Sequence, residues 1–433
     1  MPLRLTTRQP DFEARFCALL ALKREVSEDV DQAVRGIIAN VRQRGDAALI
    51  EYSSRFDRVD LAKTGIELTR QEIRAARGAC DPKALAALEF AHARILSFHQ
   101  LQKPADMLFT DAAGVTLGWR WTAIESAGLY VPGGTASYPS SVLMNAVPAI
   151  VAGVGQLSMT VPAPDGIIAP LVMAAADIAG VNRVYRVGGA QAIAALAYGT
   201  ETIASVAKIT GPGNAYVAAA KRQVFGAVGI DMIAGPSEVL IIADGTANAD
   251  WIAADLLAQA EHDTASQSLL ITDDAGLAGR VERALEGQLK TLPRAGIAGA
   301  SWADFGAIIL VSSLAEAAAL ANRIAAEHVE IMTADADAMS RQIRNAGAIF
   351  LGSHTPEAIG DYTGGSNHVL PTARSARYAS GLGVLDFMKR TSILKCTPES
   401  LQALAGPAIA LGEAEGLHGH ARSVAIRLNR RIG

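Results

Sequence analysis

Cysteine is scarce in this chain. Cys17, Cys80 and Cys396 are the three present in 433 residues, far apart and never in a CxxC pair. Their odd number and spacing argue against a disulfide scaffold and a thiolate-bound structural zinc, and fit reduced thiols of a cytosolic protein. None lies in a polar run with histidine, which argues against a thiol nucleophile paired with a base. Aromatic residues are only 5 % of the chain, and its net charge of −4 comes from mixed signs with no basic stripe and no RNP-like aromatic cluster, so nucleic acid is not an expected partner. No run of about 18 apolar residues occurs, so no membrane span is expected. The N-terminus, MPLRLTTRQPDFEARF, lacks a continuous apolar h-region and a cleavage site. Export is therefore not expected, and the expected location is the cytoplasm. The dinucleotide fingerprint GxGxxG is also missing.

Apolar residues, half of the chain, are plentiful. The length suggests two to four domains rather than one core. The first hundred residues read as helical. Val30, Val34, Ile37, Ile38 and Val41 share one face of a helix over 29–44 that Gly45 ends, and Asp81-Pro82 opens another helix with a cap and a proline at its first position. From Ala127, short β-rich runs alternate with alanine-rich segments, from GLYVPG to IDMIAGP. A second such series runs from SEVLIIAD to AIFLG. This is βαβα order, and two units of similar size suggest a duplicated α/β fold with parallel sheets. The segment from Leu382 looks too small and too helical to fold alone, so it is expected to dock on another domain or subunit.

Four polar segments interrupt this pattern. In WIAADLLAQAEHD, Gln259 and His262 fall three residues apart on one helical face. AAEHVE, AIGDYTGGSNHVLP and EGLHGH add Glu327, His328, Asp361, His368, Glu415 and His420. Gln259, His262, Asp361 and His420 together form an N/O ligand set without thiolate, suited to an open Zn²⁺ or Mn²⁺ site. A Glu-His pair such as Glu327-His328 is usually a solvated helix end. Set just before a strand and between other histidine-bearing segments, it reads as catalytic, with histidine taking a proton from an alcohol and glutamate polarising it or a water. The loops YVPGGTASYPSS, VGGAQ and TGPGNAYV each follow an expected strand and precede a helix. Free N–H groups there suit a phosphate-bearing ligand, although spacing alone does not name the nucleotide.

In this order, GLYVPGGTASYPSSVLMNAVPA, YRVGGAQAIAALAYGT, KITGPGNAYV, DMIAGPSEVLIIAD, LLAQAEHD, AAEHVE, PEAIGDYTGGSNHVLPT, LDFMKRTSI and EGLHGHARSV resemble the histidinol dehydrogenase family across nearly the whole chain. The resemblance implies oxidation of L-histidinol to L-histidine through histidinal with two NAD⁺. It implies one Zn²⁺ per subunit on Gln259, His262, Asp361 and His420, and Glu327 and His328 as the acid–base pair. Ser237, His368 and Glu415 then match substrate-side positions, as do Gln259, His262, His328, Asp361 and His420. Tyr130, Gln191 and Asn214 match NAD-side positions. The family's proline before Glu-His is Ala326 here, and His418 is an extra histidine beside the expected ligand. The fold implied is two Rossmann-like parallel-sheet domains, with a helical N-terminal region and a small C-terminal tail domain. The expected division is an arm over 1–25, a catalytic domain of 26–110 plus 237–381, an NAD-binding domain over 111–236, and a tail over 382–433 that completes the partner's site in a homodimer. The competing readings are a related zinc alcohol dehydrogenase acting on another small primary alcohol, such as a sulfonated diol, and a catalytically silent metal- or nucleotide-binding protein.

Overall fold

The alternating apolar runs build two parallel sheets. The computed structural model describes residues 2–22, 28–133 and 138–429, so part of the Gly133-Gly134 loop expected on the nucleotide side lies outside them. The first sheet has five strands in the order Arg183–Tyr185, Gln156–Thr160, Ser126–Tyr130, Lys208–Thr210 and Gly229–Ile230. The second has six, in the order Leu3–Thr6, Ala307–Leu310, Gln267–Thr272, Glu238–Ala243, His328–Met332 and Ala348–Leu351. The strand order reverses beside Ser126–Tyr130 in the first sheet and beside Glu238–Ala243 in the second, where the N-terminal strand Leu3–Thr6 is added at one edge. In each, the strands run outward in both directions from that point, the doubly wound arrangement. Strands Glu238–Ala243 and Gln267–Thr272 are buried at every position. That is why EVLIIA and QSLLIT read as continuous apolar-rich runs rather than alternating ones, since helices cover both faces.

The helix expected over 29–44 spans Glu28–Arg44 and buries Val34, Ile37, Ile38 and Val41. The helix opened by Asp81-Pro82 spans Pro82–Gln100, with the Asp81 carboxylate accepting the Ala84 N–H at 3.0 Å. One correction concerns the N-terminal region. It is not wholly helical, because Leu3–Thr6 is an edge strand of the second sheet, paired with Ala307–Leu310. The helices that follow pack on the first sheet. Val34, Ile37, Val41 and Leu49 pack in one core with Ile193, Leu196 and Ile209 of the first sheet's layer. A 3.6-residue stripe shows that a helix buries a face, not which sheet receives it.

The chain divides into two compact units, one comprising residues 1–102 and 125–387 and the other 103–124 and 388–433. The smaller unit corrects the expectation of a helical tail. Strand Met388–Lys395 pairs antiparallel with Thr116–Ala123, which pairs with Met107–Thr110, so residues 103–124 belong with the tail. Helices Pro398–Ala414 and His418–Ile426 complete it. Strand Met388–Lys395 is half-buried or exposed along its length. Without one buried face, MKRTSILK carries no clean alternation to mark it as a strand. No described helix is long and apolar enough to cross a membrane.

Candidate active site

The site forms at the amino-terminal edge of the second sheet, where two neighbouring strands begin. Helix Leu314–Ile324 ends on Ala325, which takes a left-handed conformation (φ +53°) and turns the chain into strand His328–Met332. That strand lies beside Glu238–Ala243 with His328 opposite Val239, which places the Glu238 backbone against Glu327 and His328. His328 Nδ1 is 3.0 Å from the Glu238 carbonyl oxygen, and the Glu238 N–H donates to Glu327 Oε2 at 2.9 Å. A carbonyl can only accept, so Nδ1 carries the proton and Nε2 bears the lone pair. Nε2 is buried with no hydrogen-bond partner. Ser237 is half-buried and directly precedes the Glu238 strand.

Asp361 lies in helix Glu357–Tyr362. The Glu357 N–H donates to Glu330 Oε1 at 2.7 Å, so a buried glutamate two residues beyond His328 receives the start of that helix. Glu357 and Asp361 are four residues apart and share a helical face. Glu357 Oε1 lies 3.4 Å from His328 Nδ1, and Asp361 Oδ1 lies 4.0 Å from His328 Nε2 and 3.8 Å from His368 Nδ1. His368 Nε2 is in turn 3.4 Å from Ser141 Oγ in helix Pro139–Ala152. Gln259 occupies the last turn of helix Ala249–Ala260; with its amide nitrogen toward Glu357 it donates to Oε1 at 2.7 Å, and its oxygen accepts the Glu238 N–H at 3.1 Å. His262 follows two residues past that helix and is exposed as a residue.

Burial pushes His328 down to about 3, against the opposing hydrogen bond to Glu238, and pushes His368 down to about 4 with the charge of His262 adding to the effect. His262 is lowered as well, chiefly by desolvation despite its exposure. The carboxyls move the other way. Burial lifts Asp361 to about 6, and Glu357 is held well above the usual range by burial and then by the charges of Asp361, Glu330 and Glu327. Burial is the leading cause on both sides, since it disfavours the charged form of imidazole and carboxyl alike. Among the described residues, His328, Glu357 and Asp361 have ligand atoms within 4.8 Å of one another. Oxygen and nitrogen donors gathered in this way, without thiolate, fit a divalent cation.

The structure thus gathers Gln259, Glu327, His328, Asp361 and His368, with His262 and Ser237 at the same sheet edge. Glu415 and His420 belong to the smaller unit, where both are exposed. Glu357, Glu330, Glu238 and Ser141 were missed from the sequence. A Pro-Glu at a helix start is ordinarily solvated, and EVLIIA and VEIM read as core strands. The one available signal was a carboxylate inside each otherwise apolar run.

Tyr130, Gln191 and Asn214 fall at the carboxyl-terminal ends of first-sheet strands. Tyr130 ends strand Ser126–Tyr130. Its buried hydroxyl accepts the Gly189 N–H at 3.0 Å, and its pKa is pushed up to about 12 by desolvation. Gln191 is buried in helix Gly189–Tyr198. Asn214 caps helix Ala215–Val224, its Oδ1 accepting the N–H groups of Tyr216 at 3.1 Å and Val217 at 3.2 Å.

A model of the family described as histidinol dehydrogenase matches residues 21–428. The histidinol dehydrogenase of Mesorhizobium japonicum is 68 % identical over 429 residues, covering 99 % of this chain and all of the relative. That of Bradyrhizobium diazoefficiens is 67 % identical over the same length, with the same coverage. Among solved structures, histidinol dehydrogenase from Elizabethkingia anophelis superposes with a TM-score of 0.94 at 35 % identity, covering 99 % of this chain and 98 % of that one.

Proposed function

The chain belongs to the histidinol dehydrogenase family, and on that premise we propose that the Glu327–His328 cluster carries out the four-electron oxidation of L-histidinol to L-histidine through bound histidinal. The observation that carries this reading is the state of His328, a neutral imidazole with Nδ1 occupied by a backbone carbonyl and Nε2 buried without a partner. In the first oxidation Nε2 takes the proton of the substrate hydroxyl as the C–H bond gives up its hydride. NAD⁺, on the loops of Tyr130, Gln191 and Asn214, supplies the hydride acceptor twice. Between the oxidations water adds to the aldehyde, and Glu327 removes a proton from that water to form the gem-diol. In the second oxidation His328 Nε2 again takes a hydroxyl proton, and the carboxylate of histidine results.

Gln259, His262, Asp361 and His420 would hold Zn²⁺, which would supply a Lewis acid to help position the substrate. Glu357, touching both Gln259 and His328, orients two groups of this site at once. His368, Ser237 and Glu415 complete the substrate side. The smaller unit supports the further proposal that His420 and Glu415 enter the site of a second copy in a homodimer. Its surface exposes Met107, Leu108, Phe109, Leu394, Leu411 and Ile426. So much apolar surface on a small unit suits burial against another chain. The direct test is NADH release by the purified, metal-loaded protein. Two equivalents per L-histidinol are expected, and no release would remove the reading.

A further inference from the structure

Away from the acid–imidazole cluster, the most deeply buried ion pair among the described residues is Lys221 with Asp231, their side chains 2 % and 1 % exposed. Taking both charges out of water is expensive, and apolar residues of similar volume often hold a fold as well or better. Stability alone does not account for the pair. It closes around one residue, Gly211. Lys221 Nζ donates to the Gly211 carbonyl at 2.9 Å, and Asp231 Oδ2 accepts the Gly211 N–H at 2.8 Å. Asp231 Oδ1 accepts from Lys221 Nζ and, at 2.6 Å, from the Met232 N–H.

Gly211 is where the chain leaves strand Lys208–Thr210. Its φ of +109° is closed to other residues, and a Cβ there would run into the Tyr130 carbonyl oxygen. Strands Ser126–Tyr130 and Lys208–Thr210 are neighbours at the point where the first sheet reverses its strand order, the usual ligand crevice of such sheets. The loop runs from Gly211 to Asn214, the cap of the same helix that carries Lys221. The ion pair therefore ties the base of this loop to the body of that helix, and does so through backbone atoms.

We infer that Lys221 and Asp231 are positioning residues for dinucleotide binding, holding the Gly211–Asn214 loop against Tyr130 in the geometry that receives NAD⁺. This rests on the reading of these loops as the NAD⁺ side. A pair acting in this way governs the affinity for NAD⁺ rather than the affinity for the substrate.

The test is the double variant Lys221→Met/Asp231→Leu, which replaces both charges with apolar groups, beside Asp231→Asn, which keeps an acceptor for the Gly211 N–H but leaves the Lys221 charge unpaired. Each is compared with wild type by thermal melting, by calorimetric Kd for NAD⁺ and for L-histidinol separately, and by steady-state kinetics. In a folded variant the NAD⁺ Kd and KM should rise about tenfold or more, while the histidinol Kd and the kcat at saturating NAD⁺ stay near wild type. If the double variant does not fold, Asp231→Asn is read by the same measurements. Unchanged NAD⁺ affinity in a folded variant overturns the inference, and so does an equal loss for both ligands, which marks a general structural role. A wild-type protein that produces no NADH overturns the functional reading itself; an active wild type with an unaffected variant overturns only the role of the pair.

Discussion

The Nδ1 of His328 lies 3.0 Å from the carbonyl oxygen of Glu238, so a backbone atom of the neighbouring strand decides which ring nitrogen is the base. Strand pairing fixes that contact. A substitution at Glu238 changes its side chain but leaves the carbonyl in place, whereas a substitution at His328 removes the base itself. His328→Gln is expected to lower kcat for histidinol and for histidinal by about 10²- to 10⁴-fold each. Stopped-flow or steady-state assays started from either substrate check this.

Glu327 is expected to matter chiefly for the second oxidation, because only that step needs a hydrated aldehyde. Glu327→Gln keeps an acceptor oxygen for the Glu238 N–H, so the strand edge is expected to survive. Its kcat should fall more with histidinal than with histidinol. Equal losses on the two substrates would count against this division of labour.

Removing the metal should stop turnover without unfolding the protein, because Gln259 and Asp361 sit on helices that have their own packing contacts. Chelation followed by dialysis is expected to abolish NADH production with little change in the far-UV circular dichroism, and zinc or manganese should restore it. Asp361→Asn should weaken zinc retention by about tenfold or more, read by metal content after dialysis. Full activity in a protein shown to be free of zinc would refute the ligand assignment.

If the tail acts in the partner's site, co-refolding two inactive variants restores activity. His328→Gln and His420→Asn, mixed in equal amounts, should pair at random. Half of the dimers are then mixed, each with one site keeping both residues, so about a quarter of wild-type activity returns. A dead mixture whose mixed dimers are confirmed by mass spectrometry would show that His420 acts within its own chain.

Burial raises Asp255 to about 6, partly opposed by its hydrogen bond to Glu330, which is itself held well above its usual value by burial and by the charge of Asp255. The two carboxyls are therefore expected to share a proton, behind the start of the helix that carries Glu357 and Asp361. Folded Asp255 has the higher pKa, so its contribution to stability is present below the unfolded value and is lost as pH rises through about 6. Asp255→Asn removes that dependence. In metal-free protein, urea midpoints should show the variant gaining on wild type between pH 5 and pH 7.5. The histidines titrate in both proteins and cancel in the comparison. A difference that does not change with pH would refute the shared proton.

Much of this molecule was determined by local sequence. The helix over Glu28–Arg44, the Asp81-Pro82 start, the two βαβα series and the polar runs holding Gln259, Glu327, His328 and Asp361 are all written in periodicity, caps and residue type, which act over a few neighbours. The order of the motifs carries the family. Tertiary structure alone decided the rest. Leu3–Thr6 became an edge strand because Ala307–Leu310 offered it a partner, and Met388–Lys395 became one because Thr116–Ala123 did; neither pairing leaves a mark within the strand itself. The helical stripe of Val34, Ile37 and Val41 announced a buried face but not the sheet beneath it. Glu357, Glu330 and Glu238 joined the site only because one strand register set the start of His328–Met332 beside Glu238, and the Glu357–Tyr362 helix then landed on Glu330. Register is a relation between segments far apart in the chain, and no window of residues read alone contains it.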